Sequence, residues 1–106
     1  MTTFDDRERG EETRFKHQQE LVFKARNRGN KLFGLWIAER LGLSGEAAES
    51  YAKEVVVADF DSPGDDDILT KVKADLEAKS IQISDHLLAK HLEEFRQLAA
   101  EQIRTE

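Results

Sequence analysis

The apolar residues of this 106-residue chain recur at intervals of three and four, the spacing of one face of an α-helix. Leu21, Ala25, Leu32, Leu35, Trp36 and Leu41 fall near one side of a segment over residues 20–41. Ala48, Tyr51, Ala52, Val55 and Val56 continue the spacing to about residue 60, and Ile68, Leu69, Val72 and Leu76 mark a third stripe. Leu88, His91, Leu92, Phe95, Leu98, Ala99 and Ile103 line a fourth. The segment Phe33-Gly34-Leu35-Trp36-Ile37-Ala38 is apolar almost all round, which requires burial by more than one neighbour. Gly42 and Ser44 supply a stop and an N-cap between the first two segments. Ser62 and Pro63 restart the chain, Asp65, Asp66 and Asp67 suit the positive end of the helix that follows, and Ser84 caps the last one. No two alternating runs are joined by a hairpin turn, so no sheet is expected. The pattern predicts an all-α fold, a compact antiparallel four-helix bundle over residues 20–106 with its first helix at the centre.

Charge and composition narrow the function. The chain carries a net charge of -6, unevenly spread, with five basic and two acidic side chains over residues 20–40 and a strong acidic excess beyond them. An acidic body with one short basic band repels phosphates, which argues against nucleic-acid binding. No cysteine is present, and with it go disulfides, thiolate metal sites and thiol nucleophiles. No apolar run approaches the roughly 20 residues of a membrane span, and no secretion leader opens the chain. A cytoplasmic protein without direct membrane contact, monomeric when free, is expected.

Residues 1–19 differ from the rest. Phe4 and Phe15 share one helical face, because eleven residues make about three turns. Between them that face holds Glu8 and Glu11, and Gly10 costs a helix about 1 kcal/mol. Two phenylalanines bury too little area to hold a helix of this length by themselves. The charges interleave (Asp5, Asp6, Arg7, Glu8, Arg9), which suits a partner of mixed charge. The expectation is a mobile, partly helical N-terminal arm that becomes fully helical on a partner.

Catalytic and metal chemistry find little support. His86 and His91 lie about 140° apart on a helix rather than on one ligand face, and His91 belongs to an apolar stripe. His17, at the root of the arm, is read as an ordinary exposed histidine. Asp59, Asp61 and Gly64 fit a calcium-loop template, but Pro63 takes a ligand position and Thr70 stands where the bidentate Glu is needed. No Ser-His-Asp order or phosphate-cradling glycine loop is present. The basic band Lys24, Arg26, Arg28 and Lys31 supports an alternative reading. In it, Arg26, Arg28 and Lys31 hold ADP or ATP as a bound regulatory ligand, and the chain is a nucleotide-sensing module. A helical adaptor presenting its arm as a peptide ligand is a third reading. No catalytic residue, metal or other cofactor is assigned.

Three blocks then point to a family. Phe4-Asp5-Asp6-Arg7-Glu8, Asn30-Lys31-Leu32-Phe33-Gly34-Leu35-Trp36 and Tyr51-Ala52-Lys53-Glu54-Val55-Val56 together resemble the zeta inhibitor subunit of alphaproteobacterial F-type ATP synthases. Gly64-Asp65-Asp66-Asp67 and Lys71-Val72-Lys73-Ala74-Asp75-Leu76 fit the same pattern. The resemblance implies a regulatory protein, not an enzyme, whose arm over residues 2–19 enters the catalytic head of the synthase. There it sits between catalytic and non-catalytic subunits beside the central stalk and blocks rotation in the hydrolytic direction. Carried over, Phe4 and Phe15 are the apolar anchors, and Asp5, Asp6, Arg7, Glu8, Arg9, Arg14 and Lys16 form ion pairs across the interface. The synthase would also hold the protein at the periphery of the inner membrane. Gly10 and Glu11 depart from the family pattern, which has a better helix former and an apolar side chain there. The expected result is an inhibitor of reduced potency.

Overall fold

The computed structural model describes the backbone of residues 3–61 and 65–106 and the side chains of residues 17–60 and 67–106. Four helices form: α1 (Thr3–Arg40), α2 (Gly45–Asp61), α3 (Asp65–Ala78) and α4 (Asp85–Thr105). No strand occurs among the described residues. The expected capping residues Ser62 and Pro63 lie outside the described residues, although α3 starts just after them.

Three helix ends, in two of the turns, follow directly from local chemistry. Gly42 takes a left-handed φ of 83° and ends α1, with the Leu43 N–H donating to Ala38 O (2.9 Å) and the Gly42 N–H to Glu39 O (3.1 Å). The end of α3 repeats this closure with Ser80 at φ 59°, the Ile81 N–H donating to Leu76 O (2.9 Å). Ser84 caps α4, its Oγ accepting from the Leu87 N–H at 3.2 Å.

Helix α1 begins well upstream of the residue 20 expected from its apolar stripe. Nothing between residues 3 and 20 stops a helix. Proline is absent there, Arg, Glu, Gln and Lys are good helix formers, and Gly10 alone adds a substantial cost. Once the buried part of α1 has nucleated, each upstream residue adds a hydrogen bond without a new nucleation cost. At 1.5 Å per residue the 38 residues of α1 make a rod of about 57 Å, and the molecule measures 65 × 25 × 20 Å. The outline is therefore long and narrow, with α1 as its axis.

Helix α1 is the centre, packed between α2 and α4, while α3 leans mainly on α2. Asn30 meets Asp59 and Phe23 meets Phe60, so α2 runs antiparallel to α1. Trp36 meets His91, Phe33 meets Phe95 and Arg28 meets Glu106, so α4 does the same on the other flank. Tyr51 donates to Asp75 across α2 and α3 (2.8 Å), and Lys73 pairs with Asp85 across α3 and α4. Burial and this hydrogen bond hold the Tyr51 phenol far above the ordinary tyrosine range, so it stays protonated. Phe33, Ile37 and Ala38 enter one core with Tyr51 and Val55 of α2, Ile68, Val72 and Leu76 of α3, and Leu88 and Leu92 of α4. The all-round apolar run of α1 is thus covered from both flanks, as its composition requires.

Two glycines set how closely the helices approach. A Cβ on Gly34 would stand 2.8 Å from Ala52 Cα, and one on Gly29 would stand 2.6 Å from Arg96 Cα. Neither clash can be relieved by turning a side chain, since backbone is struck. Alanine adds roughly 1 kcal/mol of helix propensity, but overpacking of this kind costs about 1–3 kcal/mol. Gly34→Ala is expected to lose about 1 kcal/mol net, read as a lower urea midpoint at unchanged m-value. A midpoint at or above that of the wild type would show that the α1–α2 spacing is not fixed here.

Candidate functional site

The residues expected to contact a partner are Phe4, Asp5, Asp6, Arg7, Glu8, Arg9, Arg14, Phe15 and Lys16. Their side chains lie outside the described residues; their backbone belongs to α1. The description of side chains begins at the root of this segment, where His17, Gln18, Gln19 and Glu20 are exposed.

The next turns of α1 hold a polar cluster that ties three helices together. Arg26 grips Asp59 of α2 with a two-point fork, Nε to Oδ2 at 2.6 Å and Nη2 to Oδ1 at 2.7 Å. Asn30, fully buried, donates to Asp59 Oδ2 at 2.9 Å, and its Oδ1 accepts from Arg96 Nε of α4 at 3.0 Å. Arg96 Nη2 lies 4.0 Å from the same carboxylate. The Asp59 side chain is only 7% exposed. The hydrogen bonds from Arg26 hold its carboxyl below the usual aspartate range, against the opposing effect of burial. A fork to a buried carboxylate fixes direction as well as distance, so the cluster sets the angle at which α1 leaves the bundle.

Sequence reasoning missed this cluster. A signal was present: Asn30 is uncharged and polar beside the apolar run, and Asp59 interrupts the apolar end of α2. Only the alternative, nucleotide-sensing reading gives Arg26 a role, and it groups Arg26 with Arg28 and Lys31 as a phosphate binder. In the structure Arg26 points to Asp59, while Arg28 and Lys24 share Glu106 (2.6 and 3.5 Å) and Lys31 pairs with Glu49 at 3.3 Å. Arg26 is therefore directed into the bundle, and Arg28 and Lys31 line an open groove between α1 and α2.

That groove has a volume of about 840 Å³, with Phe23, Leu32, Leu35, Val56 and Val57 on its walls. Its outer end carries an edge-to-face pair, Phe23 and Phe60, with ring centroids 5.2 Å apart and exposures of 50% and 57%. Large apolar side chains exposed side by side were not foreseen either, because helical spacing alone does not say which edge of a stripe stays uncovered.

Farther up α1, Trp36 lies against the His91 ring (centroids 4.3 Å apart) with the Arg40 guanidinium 5.0 Å from the indole. His91 is two-thirds covered, the core-edge place expected of it, and His86 is exposed. Among the described residues no three His, Asp or Glu side chains gather as a metal site would need, and no helix is long and apolar enough to cross a membrane.

Comparison with known proteins agrees with this architecture. A structure solved by solution NMR superposes with a TM-score of 0.69 at 42% sequence identity, covering 78% of this chain and 94% of its own. Among curated proteins nothing matches. The family model described as ATPase inhibitor subunit zeta matches residues 1–102, taking in the N-terminal segment, the polar cluster, α1 to α3 and most of α4. The chain belongs to the ATPase inhibitor subunit zeta family.

Proposed function

We propose that this chain inhibits ATP hydrolysis by an F-type ATP synthase, with residues 2–19 as the inhibiting arm and residues 20–106 as the bundle that carries it. The arm enters the catalytic head at an interface between catalytic and non-catalytic subunits, beside the central stalk, and blocks the hydrolytic rotation. The protein is cytoplasmic and reaches the membrane surface only through the synthase. The observation that supports this reading best is the unbroken course of α1 from Thr3 into the core. A wedge resists a turning rotor only if something behind it holds it in place. Here the same helix that would occupy the interface is clamped at Arg26 and Asn30 and buried at Phe33, Ile37 and Ala38.

The test is ATP hydrolysis by the cognate synthase with the full chain, and beside it a form lacking residues 1–19 whose helicity is checked by circular dichroism. The full chain is expected to inhibit and the shortened form to lose at least 90% of that inhibition. Equal inhibition by both would move the function to the bundle surface. No inhibition by either would remove the reading altogether.

A further inference from the structure

We propose that the groove between α1 and α2 is a second docking surface, which takes an acidic, partly apolar surface of the same enzyme beside the slot that receives the arm. This inference rests on the inhibitor reading above. Its first support is charge. Lys24, Arg28, Lys31 and Lys53 all line this one groove, in a chain whose net charge is -6. Only two carboxylates balance them among the described residues: Glu106, shared by Lys24 and Arg28, and Glu49, paired with Lys31. A positive rim on an acidic protein selects a negative partner and speeds its encounter.

The second support is apolar area. Phe23, Val57 and Phe60 are half-exposed, and Phe23 and Phe60 pair edge to face at the end of the groove nearest the arm. Exposed apolar residues in a cluster, rimmed by charge, mark interaction surfaces, and aromatic side chains dominate their energetics. The third support is reach. Helix α1 is a single rod, so Phe23 lies about 28 Å along the axis from residue 4. An arm seated to its tip brings the groove to a fixed place against the rim of the slot. Two contacts on one rigid element add in affinity without a second loss of rotational freedom.

The test uses the full chain and the purified catalytic head of the cognate synthase. Lys31→Glu with Lys53→Glu reverses two exposed charges, and Phe23→Ala removes the aromatic anchor; thermal melts establish that each variant folds. The double reversal is expected to slow association about tenfold at low salt, with less difference at high salt, while saturating protein still inhibits fully. Phe23→Ala is expected to raise the dissociation rate about tenfold. Because the chain has no cysteine, Val57→Cys provides one thiol for crosslinking, expected to link to a subunit of the head. Wild-type rates in both variants, or a thiol that links only to a second copy of this chain, would overturn the groove proposal while leaving the arm intact. A linked thiol on a head that continues to hydrolyse ATP would keep the groove and overturn the inhibitor reading.

Discussion

Gly10→Ala combined with Glu11→Phe is expected to tighten inhibition between tenfold and a hundredfold. Gly10 lies inside α1, within the segment proposed to enter the synthase. Alanine there favours the helix by roughly 1 kcal/mol, and a phenylalanine buried even in part on the partner contributes about 1.5 kcal/mol. Each 1.4 kcal/mol is tenfold in affinity, so the two together fall inside that range. The single variants separate the causes. Gly10→Ala acts by holding the helix before binding, and so raises helicity of the free chain. Glu11→Phe acts by contact and leaves helicity nearly unchanged. A titration of hydrolysis in which the double variant is no stronger than wild type would refute the arm-helix account.

The second large effect concerns Asp59. Removing its carboxylate by Asp59→Ala leaves Arg26, Asn30 and Arg96 facing one another without the acceptor that joins α1, α2 and α4. Stranding buried donors and cations in this way costs about 3 kcal/mol, which for a domain of this size lowers the melting temperature by about 12–24 °C. Asp59→Asn keeps the shape and one acceptor oxygen, and is expected to lose about half as much.

The acid limb of the stability curve gives a separate reading of the same group. Arg26 holds the folded carboxyl below the ordinary aspartate value of 3.8. The stabilisation from this group is therefore complete above that value and is lost as the pH falls below it towards the lower folded pKa. Unfolding free energy of the wild type should decline on acidification below about pH 4, and the Asp59→Asn chain should show a shallower decline there. Parallel acid limbs for the two chains would mean that the cluster carries little of the charge-dependent stability.

Much of this fold was legible in the order of residues. Leu88, Leu92 and Ala99 could be placed by spacing, and Gly42 and Ser84 announced their turns because each supplies something the backbone needs there. Ser80 did not. Its left-handed backbone closes α3 in a turn that usually selects glycine, so side-chain type gave no warning. The apolar stripe of α1 marks only its part from residue 20 onward, for a different reason. Apolar spacing reports which helical residues are buried, and a helix that projects past its neighbours leaves no such mark. The cluster of Arg26, Asn30, Asp59 and Arg96 was hidden by distance, since its members lie on three helices and nothing local says that Asn30 and Asp59, each set in an apolar stretch, meet. Arm residues such as Phe4 and Arg7 stand out by helical face and interleaved charge, but their roles rest on the resemblance to a family.

The position of α1 between α2 and α4 also bears on how the chain is made. The partners Asn30 and Arg96 are 66 positions apart. A ribosome adding about 5–20 residues per second reaches Arg96 roughly 3–13 s after Asn30. Helix α2 covers one flank early, but Phe33 and Trp36 must wait for Phe95 and His91. During synthesis the nascent chain therefore presents an aromatic edge that the finished protein encloses. Slow translation of the last third lengthens that exposure, and an early stop within α4 makes it permanent.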